Sequence, residues 1–180
     1  MTTCITRCLA LFCWAMAHAP LLHAQSGFPA LEGSTVEGEV VRLPRKEAGR
    51  YTIVAMAYGK KAEPLLEEWY RPAYSRFVAK NGLFAGSYEV DLYLVPLFTG
   101  LDKAAYGPSM ERLRQEADPE VARRVVFFHG DAKALIQDLG MSNKDIPYFF
   151  VLNAEGRIVQ RVSGAFTVDK LEALEAPMLE

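Results

Sequence analysis

The sequence predicts an α/β protein, a three-layer α/β/α sandwich around a central mixed sheet, entered by an N-terminal β-hairpin. Three observations carry this. Apolar runs of strand length alternate with stretches whose apolar residues recur at helical spacing. One run, "YTIVAMAY" at 51–58, is apolar throughout, as a strand covered on both faces must be. Near the C-terminus, "YFFVLN" and "RIVQRV" flank Asn153-Ala154-Glu155-Gly156, a hairpin turn that adds an antiparallel pair to the sheet.

The elements follow in order. In "FPALEGSTVEGEVVRLP", Phe28-Pro29 reads as extended chain and Glu37-Gly38 as a hairpin turn. After the 51–58 strand, "AEPLLEEWYRPAYSRFVAK" is a helix with Pro64 in its first turn. Leu66, Tyr70, Tyr74, Phe77 and Val78 fall at helical spacing with Leu65 and Trp69 beside them, and Pro72 predicts a kink near Arg71. A stripe of aromatics at this spacing reads first as core, although this one is wide enough to leave part of it as an interaction patch. Residues 88–98 form a strand with Val90, Leu92 and Leu94 on one face; Pro96 ends its ladder or marks an edge, and Asp91 faces outward on the alternation. Helix resumes from Gly107, with Met110, Leu113 and Ala117 on one face, and Asp118-Pro119 breaks or restarts it. Residues 124–129 are a strand, Asp131 caps "AKALIQDL" up to Gly140, and Thr167 caps a last helix with Leu171, Leu174 and Met178 inward.

Composition narrows the function classes. The chain has 180 residues, 51% of them apolar and 23% charged, an ordinary globular balance. A net charge of -2 gives no basic excess for nucleic acid. "MTTCITRCLALFCWAMAHAPLLHAQ" has one early charge, an apolar run too short to span a bilayer comfortably, and a small residue at its end. That is the order of a secretory signal peptide, with cleavage expected after Ala24, so residues 1–24 read as leader and 25–180 as one domain. A periplasmic or secreted location follows, with membrane association only through an uncleaved leader. The three cysteines, Cys4, Cys8 and Cys13, all lie in that leader. A chain starting at Gln25 would carry no thiolate nucleophile and no soft metal ligand, and its charge, without Arg7, would be -3.

The layout resembles the thioredoxin fold. The resemblance rests on "YTIVAMAY" feeding a proline-containing helix, on Ile146-Pro147 directly before a strand, and on "YFFVLNAEGRIVQRVSG" leading into a capped helix. The entry hairpin looks like that of the peroxiredoxin-like and membrane-anchored thioredoxin branches. It implies a cis bond before Pro147, facing an active loop with a Cys-x-x-Cys pair. Where the pair would fall, the chain reads Tyr58-Gly59-Lys60-Lys61-Ala62, and no shift of register supplies a cysteine. A narrower similarity, carried by the entry hairpin, Trp69 followed by Pro72, and the segment from Tyr148 to Leu174, is to the mitochondrial ATP synthase assembly factors. It implies a chaperone-like role without redox chemistry.

The candidate binding residues are Tyr58, Gly59, Lys60, Lys61, Ile146, Pro147 and Tyr148. Lys60 and Lys61 stand at a strand-to-helix junction, where a helix N-terminus favours anions, though solvated loop lysines are the plainer reading. Pro147 is foremost a structural residue. His129 has no histidine or cysteine partner outside the leader, so no metal site is expected, and Asp131 reads as a cap rather than a catalytic partner. No catalytic residue and no cofactor is expected. The leading reading is a non-redox binding, assembly or chaperone-like module for an envelope or membrane protein. An oxidoreductase descendant with non-thiol chemistry and a binder of a small anionic ligand are the alternatives.

Overall fold

A computed structural model describes residues 27–81, 86–99, 104 and 106–180. The expected leader and its three cysteines lie outside the described residues. The chain opens with β1 (Leu31–Ser34) and β2 (Val40–Leu43), an antiparallel hairpin. Its turn is local chemistry: Thr35 N–H donates to Glu39 O at 2.9 Å, and Gly38 supplies the left-handed φ of 85°. β3 (Arg50–Ala57) then leads into α1 (Ala62–Ala73), and β4 (Glu89–Pro96) into α2 (Tyr106–Glu116) and the short α3 (Pro119–Ala122). β5 (Phe127–Phe128), α4 (Ala132–Asp138), β6 (Tyr148–Leu152), β7 (Ile158–Ser163) and α5 (Val168–Glu175) complete the order.

The main sheet runs β4-β3-β6-β7, with β3 parallel to β4 and antiparallel to β6. The hairpin and β5 form a second ladder, β2-β1-β5. Leu94 joins the two ladders through Val125: its N–H donates to Arg124 O and its carbonyl accepts from Val126 N–H, both at 2.8 Å.

Side-chain alternation along β3 divides the core. Ile53 and Ala55 face α1 and α5 with Trp69, Phe77, Phe149 and Leu174. Val54 and Met56 face the other way, onto Leu31 and Leu43 of the hairpin, Leu135 of α4 and Leu139 just after it. A strand burying both faces needs apolar residues at every position, which is the pattern read from the sequence. A third cluster seats Met110, Leu113 and Ala117 against Val125 and Phe127.

Local chemistry sets the element ends. Asp131 accepts from Lys133 N–H and Ala134 N–H, and Thr167 from Lys170 N–H, as cap positions require. Asn153 Oδ1 accepts from Arg157 N–H at 2.9 Å and from Glu155 N–H at 3.2 Å, closing the β6–β7 turn. Pro72 removes one N–H from α1, and the helix widens one turn on: Tyr74–Val78 is a π turn, with Ala79 N–H on Tyr74 O.

Three expectations need correcting. The cis X–Pro bond among the described residues is Leu43–Pro44, and the bond before Pro147 is not cis. The two X–Pro isomers differ by only about 0.5–1 kcal/mol, so packing decides between them. The strand expected over 124–129 narrows to Phe127–Phe128 plus the bridge at Val125, because β1 pairs with only two of its residues. Asp91 keeps the face opposite Val90 and Leu92, as the alternation predicts, but is half-buried there rather than outward, its side chain 19% exposed and paired with Arg50 at 3.0 Å and Arg45 at 3.9 Å.

Several tyrosines are held in their protonated form. Burial pushes Tyr70 up to about 12, with the neighbouring Tyr74 adding to it. Burial, then the bond to Glu175, raises Tyr88 further, and burial also raises Tyr93. A tyrosine raised in the folded state keeps its proton where the unfolded chain loses it. Its contribution to stability is therefore complete below about pH 10 and is lost as pH climbs from there toward the folded value. Urea midpoints should fall above about pH 10. Tyr70→Phe should make that decline shallower; an identical pH profile for the variant would contradict this origin.

Candidate functional site

β3 ends at Ala57, and the chain passes through Tyr58, Gly59 and Lys60 to the N-cap of α1, Lys61. The segment before β6 returns to the same end of the sheet, because Met56 is in register with Tyr148. The two segments that carry the seven residues singled out from the sequence therefore end on the same side of the sheet.

The two loops are fastened together. Tyr58 OH donates to Met141 O at 2.6 Å. Lys61 Nζ lies 3.2 Å from Asp145 Oδ2. Gly59 backs onto Lys144: a Cβ at position 59 would fall 2.3 Å from its carbonyl oxygen. Tyr148 OH accepts from Asn143 N–H at 2.7 Å, pinning the second loop to its own strand. Burial, with Tyr148 and Asp145 nearby, raises the Tyr58 hydroxyl above its ordinary range, so it stays a donor at neutral pH.

Exposure sorts the candidates. Lys60 and Lys61 are exposed; Tyr58, Gly59, Ile146 and Tyr148 are half-buried; Pro147 is buried. The Pro147 carbonyl accepts from Gly164 N–H at 2.9 Å, which suits a structural role. Lys60 makes no ion pair among the described residues, whereas Lys61 is spent on Asp145. No group of three or more His, Cys, Asp or Glu that could hold a metal is found among the described residues. His129 binds the Ser34 hydroxyl at 2.9 Å, and Asp131 is occupied as a cap.

A substitution tests the fit. Gly59→Ala should cost about 1–3 kcal/mol, because a rigid carbonyl blocks the added methyl and the two loops must part. Urea unfolding reads this; unchanged stability would mean the loops separate freely.

The sequence reading missed two contributors. One is the segment Met141 to Asp145, which supplies every partner on the second loop. The other is a cleft of about 430 Å³ lined by Tyr58, Phe98, Thr99, Asp131, Lys133 and Ile136. Helical spacing gave α4, but only the fold brings its start to Tyr58.

Solved structures with this arrangement identify the fold. The chain superposes on the thioredoxin domain of a thiol-disulfide oxidoreductase from Bacteroides vulgatus with a TM-score of 0.56 at 17% identity, covering 87% of this chain and 97% of that one. The fold is thioredoxin-like. The pneumococcal exposed lipoprotein thioredoxin of Streptococcus pneumoniae matches with a TM-score of 0.55 at 14% identity, over 83% and 98% of the two chains. A member of the Sco family of cytochrome c oxidase assembly proteins matches at 0.55 and 11% identity, over 86% and 95%. No family model matches the sequence, and no curated protein does. On this thioredoxin-like body residues 27–180 contain no cysteine, so no thiol redox step can take place within them. No helix of the described residues is long and apolar enough to cross a membrane.

Proposed function

We propose that this is a secreted or periplasmic thioredoxin-fold protein that works by binding, as an accessory, assembly or chaperone-like module for an envelope or membrane protein. One observation supports it above the rest. At the end of β3, Tyr58, Gly59 and Lys61 are fastened to the 141–145 loop, so a thiol-free pair of loops occupies the place the resemblance gives to the redox centre. Such a surface offers contacts and no thiolate. The Sco protein of like fold is named for assembly, and the similarity to ATP synthase assembly factors points the same way. The leader, cleaved after Ala24, belongs to the same proposal. A clamp of both lysines on a small anion is less favoured, because Lys61 already holds Asp145.

The test is site-specific photo-crosslinking in the native host. A crosslinking residue is placed at the exposed Lys60 or, as control, at the exposed Glu155 in the β6–β7 turn at the opposite end of the sheet. The proposal expects one discrete protein adduct from position 60 and none from position 155. Adducts of equal yield from both positions, or from neither, would overturn it.

A further inference from the structure

We infer that Asn81 is a site of spontaneous covalent modification, where the side-chain amide is converted to a mixture of aspartate and isoaspartate. This is independent of the binding role proposed above.

Sequence singles the position out first. The chain has three asparagines, and Asn81 alone is followed by glycine; Asn143 precedes Lys144 and Asn153 precedes Ala154. The reaction needs the backbone nitrogen of the next residue to reach the asparagine Cγ. A side chain on that next residue obstructs the approach, and glycine has none.

The structure sorts the three in the same way. Asn143 Oδ1 accepts from Asp145 N–H at 2.9 Å. Asn153 Oδ1 accepts from Glu155 N–H and Arg157 N–H. These turns hold both amides in place. Asn81 is exposed, and its side chain has no hydrogen bond among the described residues. It follows Lys80, whose φ of 53° takes the chain out of the π turn.

The chemistry needs only water. The backbone nitrogen of Gly82 attacks Asn81 Cγ and forms a C–N bond. The bond from Cγ to the side-chain nitrogen breaks, and that nitrogen leaves as ammonia with the proton from the Gly82 N–H. The product is a cyclic imide. Water then adds to one of its two carbonyls and opens the ring, giving aspartate or isoaspartate. Both carry one more negative charge than asparagine, and isoaspartate adds a methylene to the main chain. Asn81 N–H, which donates to Ser75 O at 2.8 Å, takes no part. The π turn and the core behind it therefore keep their bonds.

The test stores the native protein in mildly alkaline buffer at body temperature and follows it by peptide mapping and by isoaspartyl methyltransferase labelling. Amide loss and label should accumulate in the peptide that holds Asn81, faster as pH rises, because the attacking nitrogen must lose its proton. The peptides that hold Asn143 and Asn153 should stay unchanged over the same period. Asn81→Gln should abolish the label, and Gly82→Val should slow it strongly. The melting temperature should be the same before and after storage. No conversion at Asn81, equal conversion at all three asparagines, or an unaltered rate in Gly82→Val would overturn the inference.

Discussion

Trp69→Ala is expected to destabilise the protein by about 3–5 kcal/mol, the cost of truncating a large aromatic in a packed core. The indole is 1% exposed and joins three elements. Its ring lies 4.2 Å from that of Phe149 on β6 and 5.2 Å from that of Phe166 before α5. Its N–H donates to Gly164 O at 2.9 Å, in the link that follows β7. Alanine would leave a void under the sheet and an unpaired carbonyl. The melting temperature should fall by roughly 10 °C or more. Trp69→Phe keeps an aromatic ring and loses the hydrogen bond, so it should cost much less. A loss below about 1 kcal/mol for the alanine variant would place Trp69 outside the core and contradict the packing.

Arg76→Ala should cost about 3 kcal/mol, near the lower end for breaking a buried ion pair. Glu175 is a carboxylate at 4% exposure, held by Arg76 at 2.6 Å and by the Tyr88 hydroxyl at 2.5 Å. These three residues tie the π turn, the residue just before β4 and the end of α5 together. Removing Arg76 leaves the buried charge with a neutral partner only. The lower end applies because the arginine side chain is itself 27% exposed. Lys61→Ala breaks a pair whose lysine is 78% exposed and should cost about 0–1 kcal/mol. Urea unfolding of both variants gives the comparison, and equal losses would contradict the difference in burial.

Much of the fold was legible because its signals are local. β3 is apolar at every position, so its burial on both faces could be read directly. Asp131, Thr167 and Gly38 each announce a cap or turn through their own chemistry. The π turn after Pro72 was anticipated only as a kink, since a proline says where a helix must yield and not how. What escaped the sequence was set by contacts between distant residues. Lys61 and Asp145 are 84 positions apart, so nothing near either one marks the pairing. Gly59 reads as an ordinary loop glycine until Lys144 is placed against it. Asp91 followed the strand alternation but meets arginines from the chain before and at the start of β3. The Tyr58 cleft is built from three separate segments, none carrying a motif of its own.

The central claim is that the working protein has no thiol. The intact mass of the protein recovered from its native host tests it most directly. A mass equal to that of the chain from Gln25 onward, which contains no cysteine, is the predicted result. A mass that retains the first 24 residues, with Cys4, Cys8 and Cys13 still present, would contradict it.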